Sequence, residues 1–318
     1  MTSPAAHQNI RVKLENSQLL LISGADAGKF LQGQVTCDVR ELANPITRLG
    51  TQCNPKGRIL LSFRALQMDA ETIALRIPTS MLDKAKVSLG KYIVFSKAKL
   101  VDARDRYQLL GLYGETADEV AAQWFGKLPA EIDGWVEKDG SYLIQLAANR
   151  YECWMSSEHI ERITQGFAAQ TVEQDINAWQ LLDIQAGIAS IIPETIELFT
   201  PQEINYQLIG GVNFRKGCYT GQEIVARLHY RGKLKRHMYR FASIGQTLPA
   251  PGSVLVNSKT QQACGHLVAA ASTEGNSFEM LVSLLDEQLD EVQLEGRPEK
   301  LSLMPLPYAI PTAEEKTE

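Results

Sequence analysis

The stretch Lys216-Gly217-Cys218-Tyr219-Thr220-Gly221-Gln222-Glu223 governs how the rest of the chain is interpreted. Its two glycines flank Cys218-Tyr219-Thr220 and permit a tight backbone path with close approach by a ligand. Thr220 followed three residues later by Glu223 fits a capping box, which predicts a helix that begins near Thr220 and ends around Gly232. This pattern places Cys218 just before the N-terminus of a helix.

Cys218 is the candidate reactive thiol of the chain. The positive end of a helix and the neighbouring cations Arg215 and Lys216 are expected to lower the pKa of a thiol. The alternative is that Cys218 is a small buried hydrophobic residue, the usual situation of a free cysteine. For Glu223, helix capping is a sufficient explanation, and ligand contact is the alternative.

The segment from Arg215 to Arg240 is unusually basic. It contains one acidic residue, Glu223, and eight basic ones, namely Arg215, Lys216, Arg227, Arg231, Lys233, Lys235, Arg236 and Arg240. Such a segment forms either a solvated face or a site for an anionic partner, which is a carboxylate-tailed ligand or a phosphate backbone. The sequence lacks the interleaving of aromatic and basic residues typical of RNA-binding modules.

The composition is that of an ordinary globular protein, with 318 residues, 44% hydrophobic and 22% charged. The formal net charge of −5 argues against a general nucleic-acid binder. No apolar run approaches the ~18 residues of a membrane helix. The first residues contain no basic region followed by an apolar one, so we expect a cytoplasmic protein without a membrane contact.

The cysteine pattern excludes two classes of protein. The count is odd, the spacing is wide, and there is no C-x-x-C, which argues against a disulfide framework and a thiolate-rich metal site. The five cysteines are Cys37, Cys53, Cys153, Cys218 and Cys264. With the five histidines also scattered, we expect no tightly bound metal.

The order of predicted elements divides the chain into three parts. Strands and helices follow a similar order in residues 1–104 and 105–234, which suggests two related α+β subunits. A helix is predicted over Gln174 to Ile188, in the second of them. From residue 235 to 318, short β-rich runs alternate with turns, which predicts a small all-β unit.

The opening stretch resembles the K-G-C-[FY]-x-G-Q-E signature of the YgfZ-type folate-binding proteins, which are relatives of the glycine-cleavage aminomethyltransferase. The resemblance extends over nearly the whole chain. It includes Ile22-Ser23-Gly24-Ala25-Asp26, Gln32-Gly33-Gln34-Val35-Thr36, Asn54-Pro55-Lys56-Gly57-Arg58, Tyr92-Ile93-Val94-Phe95-Ser96-Lys97, Gly210-Gly211-Val212-Asn213-Phe214 and Pro305-Leu306-Pro307-Tyr308.

The resemblance implies an α+β fold in which a duplicated ferredoxin-like region, residues 1–234, precedes a small C-terminal β-barrel, residues 235–318, in a ring-like arrangement. The family binds folate in the central opening, so the implied cofactor is tetrahydrofolate or a one-carbon derivative. Bacterial members take part in tRNA modification, particularly methylthiolation by iron–sulfur enzymes, and in the upkeep of such enzymes. The implied partners are therefore folate and those enzymes.

The resemblance also implies binding residues. Trp179 matches a folate-contacting Trp of relatives, although without the resemblance it would be interpreted as a core aromatic. A second Trp of relatives has no equivalent here, because the matching stretch is Asn16-Ser17-Gln18. The remaining candidates for contact with the cofactor come from the opening stretch and are Lys216, Gly217, Tyr219, Gly221 and Glu223.

The aminomethyltransferase carries a pair of aspartates where this chain has Leu61 and Ser62. Neither side chain can accept the proton of an aminomethyl donor, so we expect a folate-binding accessory protein rather than a classical enzyme. One alternative is a one-carbon transferase with an unknown acceptor, which needs a replacement group such as Asp38, Asp183, Glu203 or Tyr206. The other is a non-enzymatic RNA-binding adaptor that contacts tRNA through Arg215 to Arg240.

Overall fold

The computed structural model describes residues 8–231 and 234–311. Gly232, where the last helix was predicted to end, and Lys233 of the basic segment lie outside the described residues. The helices are α1 Ala27–Gln32, α2 Leu82–Ile93, α3 Ala117–Phe125, α4 Ile160–Ala168, α5 Ile176–Gln185 and α6 Gln222–Tyr230. The strands are β1 Ile10–Lys13, β2 Ser17–Ser23, β3 Arg48–Cys53, β4 Ile59–Asp69, β5 Thr72–Pro78, β6 Lys99–Asp102, β7 Tyr107–Tyr113, β8 Trp135–Lys138, β9 Ser141–Ala147, β10 Arg150–Ser156, β11 Val172–Gln174, β12 Arg236–Ile244, β13 Val254–Asn257, β14 Ala263–Ser272, β15 Ser277–Leu285, β16 Val292–Leu294 and β17 Ser302–Met304.

The first sheet has the strand order β3-β4-β5-β2-β6, and its strand pairs are antiparallel. Both faces are covered, since β2 reads Ser-Gln-Leu-Leu-Leu-Ile-Ser with five consecutive buried residues. Its largest core cluster includes Phe30 and Leu31 of α1, Leu89 of α2, and Met238 and Leu281 of the C-terminal strands. The first half of the chain and the C-terminal unit therefore share one hydrophobic core.

The second sheet repeats the plan of the first with one strand added. Its order is β8-β9-β10-β7-β1-β11, and the strand added to that plan is β1. Ile10 pairs with Tyr113 of β7 in antiparallel fashion and with Val172 of β11 in parallel fashion. The predicted boundary between residues 104 and 105 is therefore crossed, since β1 belongs to the sheet of the second half.

The C-terminal strands form a curled six-stranded sheet with the order β16-β13-β14-β15-β12-β17. A register shift between Leu267 and Ala269 of β14 bends the sheet. In the part of the chain that the structure describes, β16 and β17 are edge strands that do not pair with each other. The small barrel predicted from the sequence is thus a half-barrel that stays open.

Helix α5 connects the second sheet to the C-terminal sheet. Asp175 is its N-cap residue, and its carboxylate accepts hydrogen bonds from the amides of Asn177 and Ala178, at 3.0 and 3.4 Å. The side chain of Asn177 donates to the carbonyl of Ser272 on β14 at 2.9 Å and accepts from its amide at 2.8 Å. Helix α5 also packs against β1 of the second sheet, so both units that surround the site described next hold it.

Candidate functional site

A cavity of about 250 Å³ lies where the first sheet, α5 and the C-terminal sheet meet. Arg76 and Pro78 of β5 line one side, and residues 268–270 of β14 line another. The remaining lining residues come from β2 and the turn before it, from the helical turn after β5, from α5, and from the loops around residues 190 and 251: Asn16, Ser17, Ser80, Trp179, Gln180, Asp183, Ile184, Ile188, Ser190, Ile192 and Pro251. The site is mixed in character, with an apolar wall and a few polar groups, as is usual for small-molecule sites.

Trp179 is fixed in this cavity by packing. The indole lies directly over Gly111 of β7, where an added Cβ would come within 2.3 Å of the ring. The guanidinium of Arg150 lies 4.3 Å from the ring centroid, in a cation–π arrangement. Only 3% of Trp179 is exposed. The residue is thus both a core aromatic and a lining residue, and its contact with folate stays a prediction.

Ionic contacts hold the wall around Trp179. Arg76 of the first sheet donates to both carboxylate oxygens of the buried Glu152 on β10, at 3.1 and 3.0 Å. Burial alone would raise the pKa of Glu152, but the charges of Arg76 and Arg64 and a hydrogen bond from Trp154 together lower it. Arg150 donates to Oδ1 of Asp183 at 2.6 Å. The first pair joins the two halves of the chain beside the cavity, and the second ties β10 to α5 within the second half.

Asn16 and Ser17, from the stretch where relatives carry a second Trp, line this cavity. Two small polar side chains stand there instead of an indole, so the ring of Trp179 has no aromatic counterpart across the space. Gln18, the next residue, lines a different groove on the outside of the molecule.

The positions of the missing aspartates are buried in β4. Leu61 is part of the core. The hydroxyl of Ser62 accepts a hydrogen bond from the amide of Ile191 at 2.8 Å. Ser62 therefore holds the loop that carries Ser190 and Ile192 into the cavity. Neither position offers a carboxylate.

Among the four possible replacement groups, only Asp183 lines the cavity. Asp38 forms a salt bridge with Arg40, and a hydrogen bond from Arg40, opposed by burial, lowers its pKa to about 2. Glu203 forms a salt bridge with Arg58. Burial raises the pKa of Tyr206 to about 12, and its hydroxyl donates to the carbonyl of Ala189 at 2.7 Å. These three groups are committed to structural contacts.

The stretch from Lys216 to Glu223 lies elsewhere, against the hairpin that joins β3 and β4. Gly221 has φ +85°, and a Cβ added there would lie 2.5 Å from the carbonyl oxygen of Asn54. Only glycine fits this left-handed conformation and close approach. The cavity lining contains no residue of this stretch. The structure therefore does not bring Cys218 and Trp179 into one site.

The predicted capping box is wrong. Gly221 occupies the N-cap position of α6, and no side chain caps the helix. Thr220 lies one residue too early for a box with Glu223, because the left-handed Gly221 interrupts the spacing. Glu223 is exposed, and within residues 8–231 and 234–311 its carboxylate has no hydrogen-bond partner.

Lys216 has a structural role. Its ammonium donates to the carbonyls of Gln32, Val35 and Cys37 at 2.8, 2.6 and 2.8 Å, which uses all three of its N–H groups. Burial lowers the pKa of Lys216 to about 8. The ammonium also lies 5.1 Å from the ring centroid of the buried Tyr219. The expectation that Lys216 contacts a ligand or activates Cys218 is therefore corrected, since its charge points into the protein.

Cys218 differs from the other cysteines of the chain by being exposed. Burial raises the pKa of the Cys37 and Cys53 thiols to about 12, and raises those of Cys153 and Cys264 as well. These four thiols are inert packing groups. Gly217, on the N-terminal side of Cys218, is exposed too, so a partner has access to the thiol. The alternative of a buried hydrophobic Cys218 is thereby removed.

Two kinds of feature are absent from the described residues. No helix among them is long and apolar enough to cross a membrane. Within the same residues, no group of three or more His, Cys, Asp and Glu side chains is arranged to hold a metal ion.

Comparison with solved structures identifies a protein with a similar fold. The chain is similar to the glycine cleavage system aminomethyltransferase T from Bartonella henselae, with a TM-score of 0.73 over 95% of this chain and 86% of that one. The two sequences are 14% identical, so the likeness concerns the fold alone.

Comparison with curated proteins shows closer relatives, although no family model matches the chain. The chain is 33% identical to the tRNA-modifying protein YgfZ of Yersinia enterocolitica, over 94% of this chain and 92% of that protein. It is 34% identical to the protein of the same name from Hamiltonella defensa, over 77% of this chain and 73% of that protein. With this identity over nearly its full length, the chain belongs to the family of YgfZ tRNA-modifying proteins.

Proposed function

We propose that this protein binds a tetrahydrofolate species in the cavity beside Trp179 and acts as an accessory protein in tRNA modification. The observation that carries the proposal is the cavity itself, which joins an indole, a carboxylate and an apolar wall at the meeting point of three units. The names of the relatives supply the link to tRNA modification. The fold shared with an aminomethyltransferase supports a folate as ligand.

The polar groups suit the ring end of a folate. Asp183 accepts one hydrogen bond through Oδ1, and its Oδ2 accepts none from another described residue. That oxygen can accept from the N–H groups of a pterin, while Gln180 and Ser190 offer further polar atoms. The volume of about 250 Å³ lies just below the ~300–1,000 Å³ of pockets that enclose a whole ligand. The pterin therefore occupies the cavity, and the glutamate tail extends from its opening.

Aminomethyl transfer is not part of the proposed function. Leu61 and Ser62 cannot accept a proton, and Asp183 is already paired with Arg150. A one-carbon transferase with an unknown acceptor would need Asp183 as its base, at the cost of that ion pair. A turnover assay with methylene-tetrahydrofolate that detects transfer in the wild type and none in Asp183→Asn would favour the transferase.

The second part of the proposal concerns Cys218. Cys218 is exposed and lies outside the cavity, so we propose that its thiol contacts a partner protein. The proposed partners are the iron–sulfur enzymes that methylthiolate tRNA, which this protein would help to maintain. We further infer a cytoplasmic location, a ring-like arrangement of the three units, and a duplication of a ferredoxin-like unit. The strand order common to the first two sheets supports the duplication.

A fluorescence titration tests the folate site. Tetrahydrofolate and methylene-tetrahydrofolate should quench tryptophan emission in the wild type, and Trp179→Phe should remove most of the quenching and weaken binding about tenfold through loss of aromatic contact. Trp135→Phe, on strand β8 of the second sheet, is the matched control and should titrate like the wild type. Equal titration of wild type and Trp179→Phe would contradict the assigned cavity.

The role of Cys218 needs a separate test. Cys218→Ala should leave folding and folate binding unchanged, because the exposed thiol touches neither the core nor the cavity. In cells that lack the native protein, the same variant should fail to restore methylthiolated tRNA. Full complementation would exclude the thiol from the function while leaving the folate site intact.

A further inference from the structure

Three aromatic rings meet on the surface beside the Cys218 segment. The rings of Phe214 and His229 are stacked, with centroids 3.7 Å apart and an angle of 9° between their planes. Tyr230 stands edge-on to both, at centroid distances of 6.1 and 4.7 Å. Tyr230 is 66% exposed, which is unusual for a large aromatic side chain. The cluster joins the end of α6 to the chain just before Lys216.

Three arginines lie close to these rings along the chain. Arg215 follows Phe214, Arg227 lies one turn before the C-terminus of α6, and Arg231 follows its last residue. All three are exposed, and none forms an ion pair with another residue of the described ranges. Unpaired guanidinium groups beside aromatic rings provide charge and flat surfaces together. We call these six residues, Phe214, Arg215, Arg227, His229, Tyr230 and Arg231, the α6 patch.

The α6 patch carries the features that single-stranded RNA requires of a protein. Unpaired bases stack on aromatic side chains and on arginine planes, and phosphates are neutralised by neighbouring cations. Bases within a duplex are stacked on each other and cannot reach a side-chain ring in this way. Because the protein has a net charge of −5, most of its surface repels the phosphates of RNA. RNA can therefore bind favourably only at local basic regions such as this one.

We propose that the α6 patch binds single-stranded RNA, such as an unpaired loop or end of a tRNA, with a base stacked on Tyr230. This inference rests on the proposed role in tRNA modification and assigns the surface that meets the nucleic acid. Cys218 lies in the short segment between Phe214 and α6. RNA bound at the patch is thus presented beside the exposed thiol and away from the folate cavity.

Fluorescence anisotropy with a labelled oligoribonucleotide of repeating CA, about 12 nucleotides long, tests the proposal. The wild type should bind the single strand at about 50 mM salt and bind a duplex of equal length far more weakly. Tyr230→Ala should weaken binding between about 5- and 150-fold, the effect of losing one base stack. Arg227→Gln should lower the slope of log affinity against log salt by about 0.7, the effect of one lost phosphate contact.

The end of α2 supplies matched controls, since Lys91 and Tyr92 are an exposed cation and an exposed tyrosine at the same place in another helix. Tyr92→Ala and Lys91→Gln should bind RNA like the wild type. The proposal is overturned if the wild type does not bind the single strand, if duplex binds as well, or if Tyr230→Ala equals Tyr92→Ala. The titration contains no folate, so a failed folate titration would leave this result unaffected.

Discussion

Replacing Lys216 with Met tests whether this lysine stabilises the fold or binds a ligand. The substitution keeps the length of the side chain and removes the ammonium that donates to the carbonyls of Gln32, Val35 and Cys37. Those carbonyls belong to the end of α1 and the segment that follows it, far along the sequence from residue 216. The expected result is local loosening of residues 32–39.

The magnitude follows from two opposing contributions. Each lost hydrogen bond to a charged group costs about 1.5–3 kcal/mol, and there are three of them. The substitution also relieves the cost of burying the ammonium. Lowering the pKa of Lys216 from 10.5 to about 8 corresponds to about 3 kcal/mol. The net effect is a loss of about 3 kcal/mol in the free energy of opening this segment.

Hydrogen exchange of the folded protein measures this loss. At neutral pH, amides in peptides covering residues 32–39 should exchange about 100-fold faster in Lys216→Met than in the wild type. Lys138→Met is the comparison, because Lys138 donates to a single carbonyl, that of Trp124, and should affect only its own surroundings. Unchanged exchange at 32–39, together with lost binding of folate or RNA, would show that Lys216 serves a ligand after all.

Three further results are expected. The pKa of Lys216 is about 8 in the folded protein and 10.5 without burial, so between these pH values the amine binds a proton only when the segment opens. Protection of residues 32–39 from hydrogen exchange should therefore rise between pH 8 and 10.5 in the wild type. It should stay constant over this range in Lys216→Met. Gly221→Ala should lower the free energy of unfolding by about 1–3 kcal/mol in thermal denaturation. Gly210 has φ +75°, but a Cβ added there would have no atom within 4 Å, so Gly210→Ala should lower the free energy of unfolding by less. Equal losses in the two variants would show that the clash with Asn54 does not contribute. Asn16→Trp should increase folate affinity about threefold to tenfold in the fluorescence titration by placing a second ring in the cavity, and an unchanged affinity would place the ligand elsewhere.

Local patterns in the sequence predicted the elements well where the pattern and the packing agree. The helix predicted over Gln174 to Ile188 is α5, Ile176–Gln185, and the β-rich C-terminal unit is the third sheet. The cavity itself could be predicted only through the resemblance, which identified Trp179 and the missing Trp near Asn16. A charged residue within the otherwise apolar strand Thr72–Pro78 is the sequence signal that indicates a special role for Arg76.

The errors have a common physical origin, which is that contacts between distant segments decide the outcome. The sequence around Lys216 predicts a surface cation. In the structure the ammonium is buried because it donates to three carbonyls near residue 35. Helix α6 begins later than predicted because Gly221 adopts a left-handed conformation in close contact with Asn54. Phe214 and His229 are 15 residues apart in the sequence, so no local pattern of interleaved aromatic and basic residues indicates that their rings stack.

The place of β1 in the second sheet constrains how a ribosome-bound chain can fold. Strands β2 to β6 are complete once residue 102 has been made, and their sheet needs nothing from later residues to form its hydrogen bonds. Strand β1 is synthesised first but must wait for β7, and its other edge is covered only when Val172 is reached. During that interval β1 presents unpaired amides and carbonyls, which makes this nascent strand a target for chaperones and for mispairing between chains.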